Sequence, residues 1–547
     1  MSIDINKIFS RIDLQIRNAN YDKALEGLRL LKTRVNDCSL QLSELVEIKE
    51  GDKRTDSALT LILNYAGFLI DCGYAISDKN LIDEGLKYGK EIFNKINVQH
   101  RLYSIYGYNV ANGIASLLQI NQHSSEQYYW IADNLTEEAK KIYRILLTNV
   151  NKNDKFILPI QTNYANLLNG RLGRIIESLH YYNGVLKLEP NFSMALANKG
   201  YVQSILASVI DGEAKIILLH EAYCNIKKSF KIGLDVGPQK YFEGIIKNLI
   251  IQILPDVETM GEDTSCKSIL KDNGDFESYY KRFCISHDLF LNPVSNSHQC
   301  EGAIYDPLII KHMIVQKGEH DKFYKFSSYF NQIKQEYTFA RYLTAQSFYQ
   351  DSSIKFVDEG VILLDTLDYS AYSIYLEQAK TAFRMSYSIL DKIAFVVNEY
   401  MNLGMKETSV SFRRLSPLNN SKILDKFYPL KNPYIAAILD LATDFENGHF
   451  QKISDLRNTF EHRFRNVHIW ASPRRITPDD EKYKESDMMT TKEFRELLIE
   501  LLIVIKSAIF YLALMVDWEE KIKMQRTGEE RVFPIHLNEI PDELKGE

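Results

Sequence analysis

NYANLLNGRLGRIIESLHYYNGVLKLEPNFSMALANKGY, residues 163–201, decides the architecture of the chain. Gly173 stands at a turn between two apolar-periodic runs. After it, Ser178, Tyr182 and Val185 recur at three-to-four spacing and line one face of a helix. Pro190 ends that helix, because proline has no backbone N–H for the helical ladder. A new run then opens with Ala195, Ala197 and Gly200, small residues placed where two helix backbones would approach. The stretch reads as helix–turn–helix.

The same pattern extends outward. ANYDKALEGLRLLKTRV (19–35) repeats the packing positions at Tyr21, Ala24, Leu28 and Leu31. YAGFLIDCGY (65–74) and YNVANGIASLLQI (108–120) read as first helices of further pairs, and EGLKYGKEIFNKI (84–96) as a helix with an apolar seam. The unit resembles the tetratricopeptide repeat, a helix–turn–helix with proline near its end. Stacked over residues 10–255, such pairs, or a generic helical array, predict a curved solenoid. Its concave face would take a protein or ligand that the sequence does not name.

Composition narrows the rest. A chain of 547 residues exceeds one hydrophobic core, and only 13 prolines favour long helices. The formal charge of -6 excludes a general polycation, so any nucleic-acid contact must come from a local patch. Six sparse, unpatterned cysteines and no visible signal peptide predict a reducing, cytoplasmic setting. LLIELLIVIKSAIFYLALMV (497–516) approaches the length of a membrane span, but Glu500 and Lys506 interrupt it. It reads as a helix buried in a domain or a dimer interface, with no membrane.

Residues 256–360 read as a linker and a mixed helical middle region. Cys284, His287, His298 and Cys300 could in principle form a tetrahedral zinc site, but their spacing is not that of a zinc knuckle. A buried Cys284 with surface histidines is the plainer reading, and no metal or cofactor is expected. YFNQIKQEYTFARYLTAQSFY (329–349) returns to helical spacing, with aromatics expected to pack between domains.

Residues 361–522 read as a compact helical bundle, followed by a polar tail over 523–547. Helices are expected over 371–404, 434–447, 452–469 and 490–522. Ala382, Met385, Ile389, Ile393 and Val396 form an apolar stripe on the first. Ser454 or Asp455 could cap the third. That third helix contains SDLRNTFEHRFRNVHIW (454–470), where Arg457, Asn458, Glu461 and His462 fall within six residues. A guanidinium is a permanent bidentate phosphate ligand, an imidazole can move a proton near neutral pH, and an amide can orient either. The trio suits phosphodiester cleavage. Spacing alone specifies little, since Arg174/His180, Arg282/His287 and Arg463/His468 are similarly placed. Replacing Arg174, His180, Arg282 or His287 is expected to leave the chemistry alone. The plainer account is an Arg457–Glu461 salt bridge beside an incidental histidine.

The motif from Arg457 to His462 resembles the signature helix of the HEPN family (higher eukaryotes and prokaryotes nucleotide-binding domain). LFLNP (289–293), Asp306-Pro307, YFNQIKQEYTFARYL (329–343) and AFRMSYSILDKIAFVVNEYMNLG (382–404) are similar to a bacterial branch of that family with an N-terminal repeat region. The resemblance implies an all-α chain, a tetratricopeptide-like solenoid followed by a HEPN-type bundle. It implies a homodimer with a composite groove and metal-independent endoribonuclease activity, yielding 2′,3′-cyclic phosphate and 5′-hydroxyl ends. Arg457 would contact the scissile phosphate, His462 would act as general acid or base, Asn458 would orient substrate or His462, and Glu461 would restrain Arg457. Roles in anti-phage defence or toxin-like growth arrest belong to the same resemblance. Between residues 451 and 476, Lys452, Arg457, Arg463, Arg465, Arg474 and Arg475 outweigh Asp455 and Glu461, a net +4 suited to an RNA backbone. The alternative is a non-catalytic scaffold or nucleotide-binding module.

Overall fold

The computed structural model describes residues 5–50, 53–124, 134–150, 154–234, 236–253, 273–296, 301–311, 313–314, 320–365, 369–417, 422–427, 431–463, 465–469, 489–527 and 540–545. Among these, structure is almost entirely α-helical. Contacts divide the chain into two compact units: Met1–Arg171 with Lys187–Pro190, and Leu172–Leu186 with Asn191–Glu547.

The first unit runs α1 (Ile5–Arg17), α2 (Tyr21–Ser43), α3 (Lys53–Ala75), α4 (Lys79–Phe93), α5 (Tyr103–Ser124), α6 (Asn134–Asn149) and α7 (Ile157–Leu172). From α1 to α6 each helix packs on the next, and α1 also touches α3, as α2 does α4 and α3 does α5. This stacking is consistent with repeats. Ala24, Leu28 and Leu31 are buried as the spacing predicts.

Asp71 lies on the water-reached side of α3. Crowding there desolvates its carboxyl and, with the charge of Asp13, raises its pKa to about 6. The ordinary unfolded value is about 4, so folding favours the protonated acid. That contribution is complete below the unfolded pKa and is lost as pH rises through the folded one. Asp71→Asn should therefore raise the melting midpoint of the first unit at about pH 7.5 and change it far less at about pH 4. Equal shifts at both pH values in calorimetry would contradict this.

The second unit opens with α8 (Ile175–Leu188), α9 (Ser193–Leu206), α10 (Gly212–Ile232) and α11 (Val236–Ile253). Gly173 adopts the left-handed φ of 66° that its turn requires. At Gly200 an added Cβ would lie 2.7 Å from the Ala222 carbonyl oxygen, so α9 and α10 meet at a distance only glycine allows. Ser178, Tyr182 and Val185 are buried, as expected. Apart from Lys187–Pro190, the helices over 175–253, read with the repeats from sequence, thus fall in the compact unit that contains the C-terminal bundle.

There follow α12 (Phe276–Ser286), α13 (His320–Tyr349), α14 (Ile374–Tyr400), α15 (Lys422–Phe427), α16 (Pro433–Asn447), α17 (Gln451–His462) and α18 (Thr491–Thr527). α14 packs on α13, α17 and α18, and α16 on α17 and α18. Asn432 fixes the entry to α16: its side-chain oxygen accepts from the Tyr434 and Ile435 N–H groups, and its amide donates to the Met515 carbonyl and Glu519 on α18. α3 and α18 are long and apolar enough to cross a membrane by length and composition alone; most of that part of α18 is buried within the fold. Lys506, inside α18, is buried and paired with Asp288.

The middle segment is a packed part of this unit. Arg341 on α13 is buried and bidentate to Asp306, at 2.9 and 2.8 Å. It also donates to the Leu289 carbonyl and stacks 4.5 Å from the Phe290 ring centroid. Thus the Leu289–Pro293 and Asp306-Pro307 motifs anchor α13. The aromatics of α13 pack largely onto α12 and α14.

Two expectations are corrected. The helix predicted over 452–469 ends at His462. Arg463 is extended, and Val467–His468 (β1) pairs in parallel with Met489–Thr490 (β2). The alternation Val467, His468, Ile469 suits a strand, and Tyr369–Ala371 bonds to its other side. Nor do Ser454 or Asp455 cap α17: Phe450 occupies that position. Ser454 lies inside the helix, its hydroxyl donating to the Phe445 carbonyl.

Candidate active site on α17

α17 buries Ile453, Ser454 and Leu456 and turns Lys452, Asn458 and Glu461 to solvent. Phe460 sits against Phe383 of α14 and Phe494 of α18, which fixes the rotation of the helix. Arg457 therefore emerges at the boundary of core and solvent. Its guanidinium lies 5.4 Å from the Tyr387 ring centroid, donates to Asn458 Oδ1 at 3.1 Å, and pairs with Glu461 at 3.2 Å.

Two residues beneath it escaped the sequence reading. Tyr387 and Asp391 lie one turn apart on α14. Tyr387 is hydrogen-bonded to Ser454 at 3.1 Å. Asp391 accepts from the Phe412 N–H, and its carboxyl is raised above its ordinary value by burial, against the opposing effects of that hydrogen bond and of Arg457. The signal was a Tyr-x3-Asp pair on the otherwise apolar inner side of α14. The arrangement holds Arg457 by its helix neighbours on one side and an aromatic face on the other. A phosphate would compete with Glu461 for the same donors.

The expected site residues are placed unevenly. Arg457, Asn458 and Glu461 come together. His462 is the last residue of α17, and its side chain lies outside the described residues, as do Arg474, Arg475, His298 and Cys300. Arg463 is exposed. Arg465 is half-buried, and its Nε has no hydrogen-bond partner among the described residues. Lys452 is solvent-facing, but its charge acts on Glu493, which lies at the start of α18 and accepts from Thr490. Among the described residues, no group of three or more His, Cys, Asp or Glu is arranged to hold a metal ion. Cys284 is fully buried, and burial pushes its thiol up to about 12.

Residues 318–519 match the family model described as LA2681-like HEPN. This part of the chain is a HEPN-family domain. The match begins two residues before α13 and ends within α18, so the HEPN domain contains Arg457, Tyr387 and Asp391 together. Comparison with curated proteins and with solved structures gives no match.

Proposed function

We propose that the HEPN domain is a metal-independent endoribonuclease, and that the helices before it hold a partner that controls it. The observation that carries this reading is Arg457: a guanidinium held from two sides at a solvent boundary, one helical turn before His462, in a domain whose superfamily is associated with ribonuclease activity. The ribose 2′-hydroxyl attacks phosphorus while the P–O5′ bond breaks. His462 takes or returns the proton, Arg457 binds the non-bridging oxygens as charge develops, and Asn458 orients the guanidinium. The products are a 2′,3′-cyclic phosphate and a 5′-hydroxyl.

Lys452, beyond its Glu493 neighbour, supplies a phosphate contact, and Arg463 and Arg465 border the same basic strip. Arg474 and Arg475 extend the strip in sequence. Two copies pair through the C-terminal bundle to form the groove. Tetratricopeptide-like helices, a cytoplasmic setting and a role in defence or growth arrest complete the proposal. A second reading, a binding scaffold without turnover, is favoured by the Arg457–Glu461 ion pair, which already satisfies part of the guanidinium.

The test is cleavage of mixed RNA by the full chain in EDTA. Fragments should carry cyclic phosphate ends, and a 2′-deoxy residue at the cut position should block cleavage. His462→Ala should reduce the rate about 10²–10⁴-fold, the range for a general acid or base, while His180→Ala does not. Cleavage abolished by EDTA, or a deoxy substrate cut at the same place, overturns the mechanism. Binding without fragments, with and without partner, establishes the scaffold instead.

A further inference from the structure

Between α13 and α14 the chain makes an excursion with a tied neck. The Asp358 carboxylate accepts from the Ile374 N–H at 2.9 Å, and the Tyr375 hydroxyl donates to the Asp351 carbonyl at 2.6 Å. Within the excursion, Val361, Ile362, Leu363 and Leu364 belong to no helix or strand. Ile362 is 95% exposed, Leu364 87%, and the other two more than half. Phe356 is also exposed. A consecutive apolar run left uncovered by the described residues is unusual on a protein surface and marks an interaction site.

The charges around it select the partner. Asp351, Asp358, Glu359 and Asp365 surround the run, against Lys355 alone. RNA and anionic lipid are repelled by that balance, whereas a basic protein surface with apolar content fits it. The same domain carries such a surface. Exposed Arg463 and half-buried Arg465 lead into Ile469, which is 51% exposed. The returning limb of the excursion is bonded to this segment: Ile469 N–H donates to the Tyr369 carbonyl at 2.9 Å, and Ala371 N–H to the Val467 carbonyl at 2.7 Å. An acidic apolar loop and a basic segment with an apolar end are thus joined side by side. That is the makeup of an isologous interface, in which one patch is complementary to itself across a two-fold axis.

We infer that residues 355–365 dock onto residues 463–469 of a second copy of this chain, and the reverse, across such an axis. This rests on the reading that the HEPN domain pairs, and it specifies the surface. It also places an acidic loop of one copy beside the segment that follows His462 in the other.

Light scattering on the full chain without RNA tests it. The wild type should give twice 63.4 kDa. Ile362→Asp with Leu364→Asp should give a monomer with unchanged helicity, since both side chains are exposed. Glu359→Lys with Asp365→Lys, and separately Arg463→Glu, should each weaken pairing at least tenfold at low salt. Mixing these two charge variants should restore a dimer, because both cross-contacts become attractive again. A monomeric wild type at micromolar concentration, a dimer indifferent to the aspartates, or no recovery on mixing overturns the inference. A wild type that is monomeric and still cleaves RNA sinks the docking and leaves the nuclease; a wild-type dimer that responds to these variants but never cleaves does the opposite.

Discussion

Arg174→Ala should cost the second unit about 3–5 kcal/mol, the range for removing one partner of a buried ion pair. Arg174 is fully buried just before α8. Its Nη1 donates to Asp440 and Asp444 of α16, each at 2.5 Å, and its Nε donates to Glu177 at 2.8 Å. The Tyr511 hydroxyl of α18 adds a bond to Glu177 at 2.7 Å. One guanidinium therefore answers three carboxylates, two of them fully buried. Alanine would take that guanidinium from all three carboxylates and leave a cavity among them. Chemical denaturation followed by far-UV circular dichroism should show the later transition lost or moved, with the first unit's transition in place. Replacing the cluster as a set, Arg174→Met with Asp440→Asn, Asp444→Asn and Glu177→Gln, should recover part of the loss. A single Arg174→Ala variant within about 0.5 kcal/mol of wild type, as for an ordinary surface site, would refute this account. Arg174, expected from sequence to leave the chemistry alone when replaced, is therefore a poor control for cleavage, because its loss would disturb the fold; His180 is exposed and is the better one.

Arg457→Ala should lower the single-turnover cleavage rate about 10²–10³-fold, the range for losing one preorganised donor to a developing oxyanion. The argument is differential. In the ground state the phosphate shares the guanidinium with Glu461 and Asn458, but the phosphorane carries more charge, so the phosphate contact strengthens on the way to the transition state. Arg457→Lys should recover little, since an ammonium lacks the planar fork and stacks less well on Tyr387. Binding of a 2′-deoxy oligonucleotide should fall much less than the rate. Arg457 is partly exposed, so the melting midpoint should hardly move. A rate within about threefold of wild type, under conditions where the wild type cleaves, would remove Arg457 from the chemistry.

Local patterns in the sequence carried the helices well. Pro433 and the apolar run after it place α16, and the run around 497–516 places the core of α18. Positions whose meaning depends on distant partners were not legible. Nothing near Arg174 in sequence foretells Asp440, and nothing near Arg341 foretells Asp306, because a buried charge declares itself only through its partner. The end of α17 was missed for a nearer reason: Val467 and Ile469 satisfy helical spacing as readily as strand alternation, and the parallel partner Met489–Thr490 is remote. At the site, the Arg457–His462 spacing was visible and ambiguous. Tyr387 and Asp391 were hidden because their place beneath Arg457 follows from the packing of α14 on α17. The shift of α8–α11 into the second unit likewise depends on long-range packing.

The Arg174–Asp440 bond joins residues 266 positions apart. At synthesis rates of about 5–20 residues per second, Arg174 leaves the ribosome roughly 13–53 seconds before the carboxylate it needs. During that interval α8 has made its own turn but not its core contacts with α16 and α18, and its apolar face is open to other chains. All of the first unit except Lys187–Pro190 precedes Arg174 and can close while synthesis continues. The nascent protein thus has a folded leading third and a waiting remainder, and slowing elongation after residue 171 should increase its dependence on chaperones.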